Sequence, residues 1–408
     1  MTEGLRSYEV EIANLSPEQT VHRLMEHAFE LQVSDLFFMS AENHVVVSVR
    51  HLGTLQRVAL LPSELGRRCM SHIKVVASMD VTEKRRPLDG RWLQEVKGQR
   101  LDLRINTIPT LHGEDFTLRL LVHGSVQLRL EELGMLRKEF NDLIGLLNSP
   151  SGLILVTGPT GAGKTTTLYA CLNFLNNGQR KINTIEDPIE YAIEGVRQSQ
   201  VNPRLELDFP DLLRGILRQA PDIIMIGEIR DPITAETAVR AANSGHLVLA
   251  TLHAPIAAGA IQSMFSLGVH PHFLASSLRG VVAQRLLRTL CPHCKVGFDL
   301  SMAPHTFEEV QRWLEPGEGT QLFAAQGCAR CLKMGYAART GVFEVLTITK
   351  EFRKLIMDKQ PTQVIRNQAI HEGIINIRQS ALLAVARGQT TSEEVLRVIP
   401  AEFLDLQD

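Results

Sequence analysis

The stretch Leu153-Ile154-Leu155-Val156-Thr157-Gly158-Pro159-Thr160-Gly161-Ala162-Gly163-Lys164-Thr165-Thr166 decides the fold. Its first four residues form an apolar run of strand type, and Gly158 to Thr165 satisfy G-x-x-x-x-G-K-[ST] in full. A helix is expected directly after it, and this strand-loop-helix context separates a phosphate-binding loop from a chance glycine-rich turn. Glycines let backbone N–H groups turn inward around phosphate oxygens, and a helix beginning near Gly163 directs its positive dipole end at them. Lys164 can reach the β- and γ-phosphates, and the Thr165 hydroxyl is a Mg²⁺ ligand. ATP and Mg²⁺ are therefore the expected ligands, with Gly158, Pro159, Thr160, Gly161, Ala162, Gly163, Lys164, Thr165 and Thr166 forming the cradle.

Downstream, strand-like runs at Ile182–Ile185, Ile223–Ile226 and Leu247–Ala250 alternate with helical ones. That alternation predicts an α/β fold, a parallel sheet with helices on both faces. Just upstream, Leu136, Phe140, Leu143, Ile144 and Leu147 predict an amphipathic helix that stops at Ser149-Pro150-Ser151-Gly152. Nearer the N-terminus, Ser16-Pro17-Glu18-Gln19 combines an N-cap Ser, a Pro at the first helical position and Gln three residues on. Val21, Leu24, Met25, Ala28 and Leu31 then follow at helical spacing. From Val45 to about Leu121 the texture is β-type, clearest at Val45–Val49, Leu101–Ile105 and Phe116–Leu121. We expect an α+β domain over 1–123, ending near His123-Gly124-Ser125, and an ATPase domain over 124–408. Within the latter, a small module interrupts the alternation at about 288–341, and about 349–408 reads as helical.

Composition limits the function classes. With 43 Lys and Arg against 45 Asp and Glu in 408 residues, the formal charge is −2. No electrostatic footprint for nucleic acid or an anionic membrane follows from that balance. The N-terminus, with Glu3, Arg6, Glu9 and Glu11, has no apolar core of a secretory signal. No apolar run approaches the roughly 18–20 residues of a membrane span. A cytoplasmic protein is expected, meeting a membrane only through partners.

Four further segments carry candidate chemistry. Ile223-Ile224-Met225-Ile226 ends in Gly227-Glu228, the form in which a strand delivers an acid beside a phosphate loop. Glu228 would hold Mg²⁺ or its water, and the plainer alternative pairs it with Arg230. Glu186-Asp187-Pro188-Ile189-Glu190 crowds three carboxylates, which repel unless a cation or proton shares the space. His246 and His253 bracket an apolar strand, where chemistry alone leaves a core role and a catalytic role equally open. Cys291-Pro292-His293-Cys294 and Cys328-Ala329-Arg330-Cys331 are two C-x-x-C knuckles. Four thiolates complete a closed, structural Zn²⁺ site, and redox pairs are the alternative.

These segments, in this order, resemble the secretion ATPase superfamily: type II secretion and type IV pilus motors with their retraction and conjugation relatives. Thr184–Glu190 is similar to that family's Asp box, Gly227-Glu228-Ile229-Arg230-Asp231 to its Walker B motif and Gly245–His253 to its His box. Pro87-Leu88-Asp89-Gly90-Arg91, Gln284-Arg285-Leu286 and Gly388–Val395 extend the similarity. The resemblance implies a RecA-like core, preceded by a PAS-like α+β domain and carrying a tetracysteine zinc insertion. It implies roles residue by residue: Glu190 polarising the attacking water, Glu228 holding Mg²⁺ through water, His253 sensing the γ-phosphate. Arg104 and Arg119 match two N-terminal-domain arginines that close onto the phosphates as arginine fingers. A homo-hexamer acting on an inner-membrane platform protein is likewise implied.

The tetracysteine module is typical of assembly and secretion motors, as opposed to retraction motors, so pseudopilus or pilus assembly is the expected work. A conjugation-type ATPase and a catalytically silent scaffold are the alternatives. The module and the lack of basic bias oppose the first; intact Lys164, Thr165, Glu190 and Glu228 oppose the second. The chain departs from the family pattern at Ser34-Asp35-Leu36-Phe37 and Arg50-His51-Leu52-Gly53. The further N-terminal domain by which many members grip their membrane-anchoring partner is not expected here, so that either the platform is bound differently or the domain was never part of this branch.

Overall fold

The computed structural model describes residues 8–122 and 128–404, and the joint expected at His123-Gly124-Ser125 lies outside them. The chain divides into two compact units, Met1–Val126 with Cys328–Lys333 and Gln127–Gly327 with Met334–Asp408.

In the first unit, helix α1 (Pro17–Glu30) starts where its capping signals place it. The Ser16 hydroxyl accepts from Gln19 N at 3.3 Å, and Ser16 N donates to Gln19 Oε1 at 2.9 Å. Strands β1 (Asp35–Ser40), β2 (His44–His51) and β3 (Thr54–Pro62) precede α2 (Ser63–Val76). Strands β4 (Leu88–Val96), β5 (Gln99–Thr110) and β6 (Gly113–Val122) follow it. They form one antiparallel sheet in the order β3-β2-β1-β6-β5-β4. Period-2 alternation gives the sheet one apolar face, with Leu36, Phe38, Val47, Leu103 and Leu118 fully buried.

The other face is charged. Register sets Arg50, Asp35, Arg119, Arg104 and Arg91 side by side across five strands. Like charges directly opposite are destabilising. Two acids relieve the row: Asp35 lies 3.2 Å from Arg119 and 3.7 Å from Arg50, and Asp102 takes Arg91 bidentately at 2.8 Å.

The second unit contains α3 (Arg137–Leu147), β7 (Gly152–Thr157), α4 (Lys164–Leu175), β8 (Ile182–Glu186), β9 (Arg197–Gln200) and α5 (Phe209–Leu217). After these come β10 (Ile223–Ile226), α6 (Pro232–Asn243), β11 (Leu247–Leu252), α7 (Ala257–Ser266), α8 (Pro271–Ser277) and β12 (Leu278–Leu290). The hairpin β13 (Lys295–Asp299) and β14 (Gln321–Ala325) forms its own small sheet. Next are β15 (Tyr336–Thr347) and the helices α9 (Lys350–Met357), α10 (Thr362–His371), α11 (Ile377–Ala386) and α12 (Ser392–Val398).

The large sheet runs β15-β12-β7-β11-β10-β8-β9. It is parallel throughout except at β15, which pairs antiparallel with β12. Strands β7, β10 and β11 are buried at every position, which is why they read as unbroken apolar runs. Alternate residues serve opposite layers. Leu153, Leu155, Ile224, Ile226, Val248 and Ala250 join one core, with α6 and α7. Ile154, Val156, Ile223, Met225, Leu247 and Leu249 join the other, with α3 and α4. Because β7, β8, β10 and β11 are parallel, their carboxyl ends share one sheet edge. That edge carries the phosphate loop, Glu186–Glu190, Glu228 and His253.

Main-sheet pairing holds β12 to Leu290 and resumes with β15 at Tyr336, so residues 291–335 leave the sheet between two of its strands.

Candidate nucleotide site and cysteine cluster

Phosphate-loop geometry depends on its glycines. Gly158, Gly161 and Gly163 have φ of 151°, 77° and 86°, where side chains are strained. Gly158 has no room either, since a Cβ there would meet Gln284 O at 2.6 Å. Gly163 is the left-handed N-cap of α4, so the first N–H groups of that helix open into the loop. Lys164 folds back on the loop, donating to Gly158 O at 2.9 Å and Pro159 O at 3.1 Å. Burial lowers its pKa, Arg285 adds to that effect, and Glu228 opposes it. Thr165 and Thr166 are exposed at the start of α4.

Glu228 leaves β10 beside this loop. Its carboxylate pairs with Arg230, the plainer contact, and also lies 3.4 Å from His253 Nε2 at the end of β11. The fold thus joins two of the expected site residues. Asp231, the other acid of that segment, caps α6 by accepting from Thr234 N at 2.8 Å. His246 Nδ1 bonds Ala241 O at 2.9 Å, anchoring the strand start.

The three acids after β8 separate. Glu186 is 2% exposed, and its carboxylate takes the Tyr169 hydroxyl, Thr184 Oγ1 at 2.5 Å and Gln198 Nε2 at 3.0 Å. Asp187 and Glu190 face outward. Glu190 N donates to the same Tyr169 hydroxyl at 3.2 Å, which ties the segment to α4. The Tyr169 pKa is raised, by burial first and then by Glu186. Sequence reading missed Tyr169. Its signal is a tyrosine within the helix after the loop, and nothing local to it reveals a partner 17 residues away.

Arg104 and Arg119 lie in the first unit, directly paired across β5 and β6, with Arg119 bonded to Asp35.

The four knuckle cysteines converge: all four sulfur atoms lie within 4.8 Å of one another. Cys328 and Cys331 Sγ are 3.8 Å apart, which is about the edge of a tetrahedron with metal–sulfur arms of roughly 2.3 Å. Cys328 N donates to Cys331 Sγ at 3.1 Å, a contact that suits a thiolate. This donor set fits Zn²⁺. By contrast, burial pushes the lone thiols of Cys69 and Cys171 up to about 12, leaving them inert.

A phosphate cradle and acids delivered to one edge of a parallel sheet define a P-loop ATPase. The chain belongs to the family described as Type II/IV secretion system protein, whose model matches residues 13–397. It is 42% identical over 382 residues to type II secretion system protein E of Dickeya dadantii (strain 3937), covering 94% of this chain and 75% of that one. It is 43% identical over 378 residues to type II secretion system protein HxcR of Pseudomonas aeruginosa, covering 93% and 76%. Among solved structures, the pilus retraction motor PilT with bound ADP superposes with a TM-score of 0.61 at 25% identity, over 94% of this chain and 97% of that one. The Legionella pneumophila ATPase DotB gives 0.70 at 19% identity over 95% and 96%, a likeness of fold. The chain is an ATPase of the secretion kind. Among the described residues, no helix is long and apolar enough to cross a membrane.

Proposed function

We propose that this ATPase is a homo-hexameric motor that powers assembly of a type II secretion pseudopilus or type IV pilus at the inner-membrane face. The observation that carries the reading is the 42% identity to a type II secretion system protein E over 94% of the chain. In this reading residues 1–123 form a PAS-like domain and 124–408 a RecA-like ATPase domain. Gly158–Thr166 bind the triphosphate, with Lys164 neutralising its β- and γ-oxygens. Thr165 and Glu228 hold Mg²⁺, which supplies charge neutralisation across the phosphates. Glu190 orients and deprotonates the attacking water, and His253 reports the γ-phosphate to Glu228. Arg104 and Arg119 complete the site late, as mobile guanidinium groups that couple hydrolysis to domain position. Cys291, Cys294, Cys328 and Cys331 hold a structural Zn²⁺.

Co-purification from native membranes tests the motor reading, comparing wild type with Glu190→Gln in ATP. A polytopic platform protein with pseudopilins or pilins is the expected catch, richer with the variant because its ATP state persists. Abundant protein that brings down neither set would refute the assembly role and leave the ATPase intact.

A further inference from the structure

Strand β12 carries two buried polar residues directly behind the phosphate loop. Gln284, 1% exposed, donates from Nε2 to Ala162 O at 2.6 Å. Arg285, 3% exposed, donates from Nη1 to Gln284 O at 2.9 Å and from Nη2 to Pro255 O at 2.7 Å. A Cβ on Gly158 would stand 3.5 Å from Arg285 Nη1, so the guanidinium backs the first glycine of the cradle. Pro255 is the second residue after His253. One planar fork therefore ties the strand residue that backs the phosphate loop, Gln284, to the segment that follows the histidine.

The far side of that segment is held by an opposite charge. Glu344 on β15 is buried, and it accepts from Ala257 N at 2.9 Å and Ile377 N at 3.1 Å, the first residues of α7 and α11. Register places Ala283 opposite Glu344 and Arg285 opposite Val342, so Arg285 and Glu344 are diagonal neighbours on one face. They bracket Pro255–Ala257 from its two ends. Thr157, the last residue of β7, adds a tie by accepting from Ala254 N at 2.7 Å. A buried guanidinium held by carbonyls is a costly device. Its geometry joins the strand behind the phosphate loop to the segment that follows His253.

We propose that Arg285 is a positioning residue for ATP hydrolysis, fixing the spacing between the phosphate loop and the His253 segment. The proposal rests on Gly158–Thr165 being the ATP cradle. Arginine is required because its fork spans two carbonyls, whereas a lysine ammonium keeps the charge and reaches one. A misplacement of about 1 Å is enough to cost roughly a hundredfold in rate.

The test compares purified full-length wild type, Arg285→Lys, Arg285→Met and Lys164→Ala for melting temperature, KM and kcat with MgATP. Arg285→Lys is expected to melt near wild type, keep KM within about threefold and lose about ten- to a hundredfold in kcat. Arg285→Met is expected to lose at least as much; if it fails to fold, the lysine variant decides. Wild-type kcat in Arg285→Lys would overturn the proposal, as would a lowered melting temperature with kcat unchanged. Lys164→Ala separates the two readings: full hydrolysis by that variant refutes the cradle itself, whatever Arg285 does.

Discussion

Replacing Glu190 with glutamine is expected to lower ATP turnover by about 10²–10⁴-fold, the usual range for loss of a general base. Nucleotide affinity is expected to stay within about threefold of wild type, since glutamine keeps the size and removes only basicity and charge. The expectation comes from how the acidic segment is divided. Glu186 is buried, with its carboxylate held by Tyr169, Thr184 and Gln198 away from solvent. Glu190 is exposed, on a backbone pinned to the helix of the phosphate loop through the Tyr169 hydroxyl. Binding, by contrast, is assigned to the loop N–H groups and Lys164, which the substitution leaves untouched. Steady-state kinetics with a separate nucleotide titration checks both halves. Unchanged turnover would remove Glu190 from its assigned role.

The second large effect is expected at the cysteine cluster. Metal analysis of undamaged protein should give about one zinc per chain, and Cys291→Ser should abolish it. Apparent binding free energies for structural zinc are about 10–16 kcal/mol, comparable with the stability of a whole domain. Loss of the metal should therefore loosen residues 291–335, the stretch whose ends emerge from β12 and β15. Limited proteolysis should cut there first, sparing the parallel strands. Metal-free protein with four reduced cysteines and an intact, protease-resistant module would refute the structural-site assignment.

The central sheet was legible because parallel strands buried on both faces must be apolar throughout, as at Leu153–Val156 and Ile223–Ile226. The phosphate loop was legible because its glycines answer to positive φ and close approach, requirements few other residues meet. Edges were harder. Strand β9 reads Arg-Gln-Ser-Gln, which carries no apolar signal because it closes the sheet on its exposed side. Strand β12 carries Gln284 and Arg285 in mid-strand, polar residues whose burial is met largely by carbonyls from distant loops. The acid-rich segment showed three carboxylates but not which one the fold would bury. That choice was made by Tyr169, on another element.

Phosphate release by the purified protein, wild type against Lys164→Ala, measures directly whether Gly158–Thr165 is a site of MgATP hydrolysis. Mg²⁺-dependent release by the wild type, reduced by about a hundredfold or more in the variant, is the predicted result. Equal release by the two proteins would contradict it.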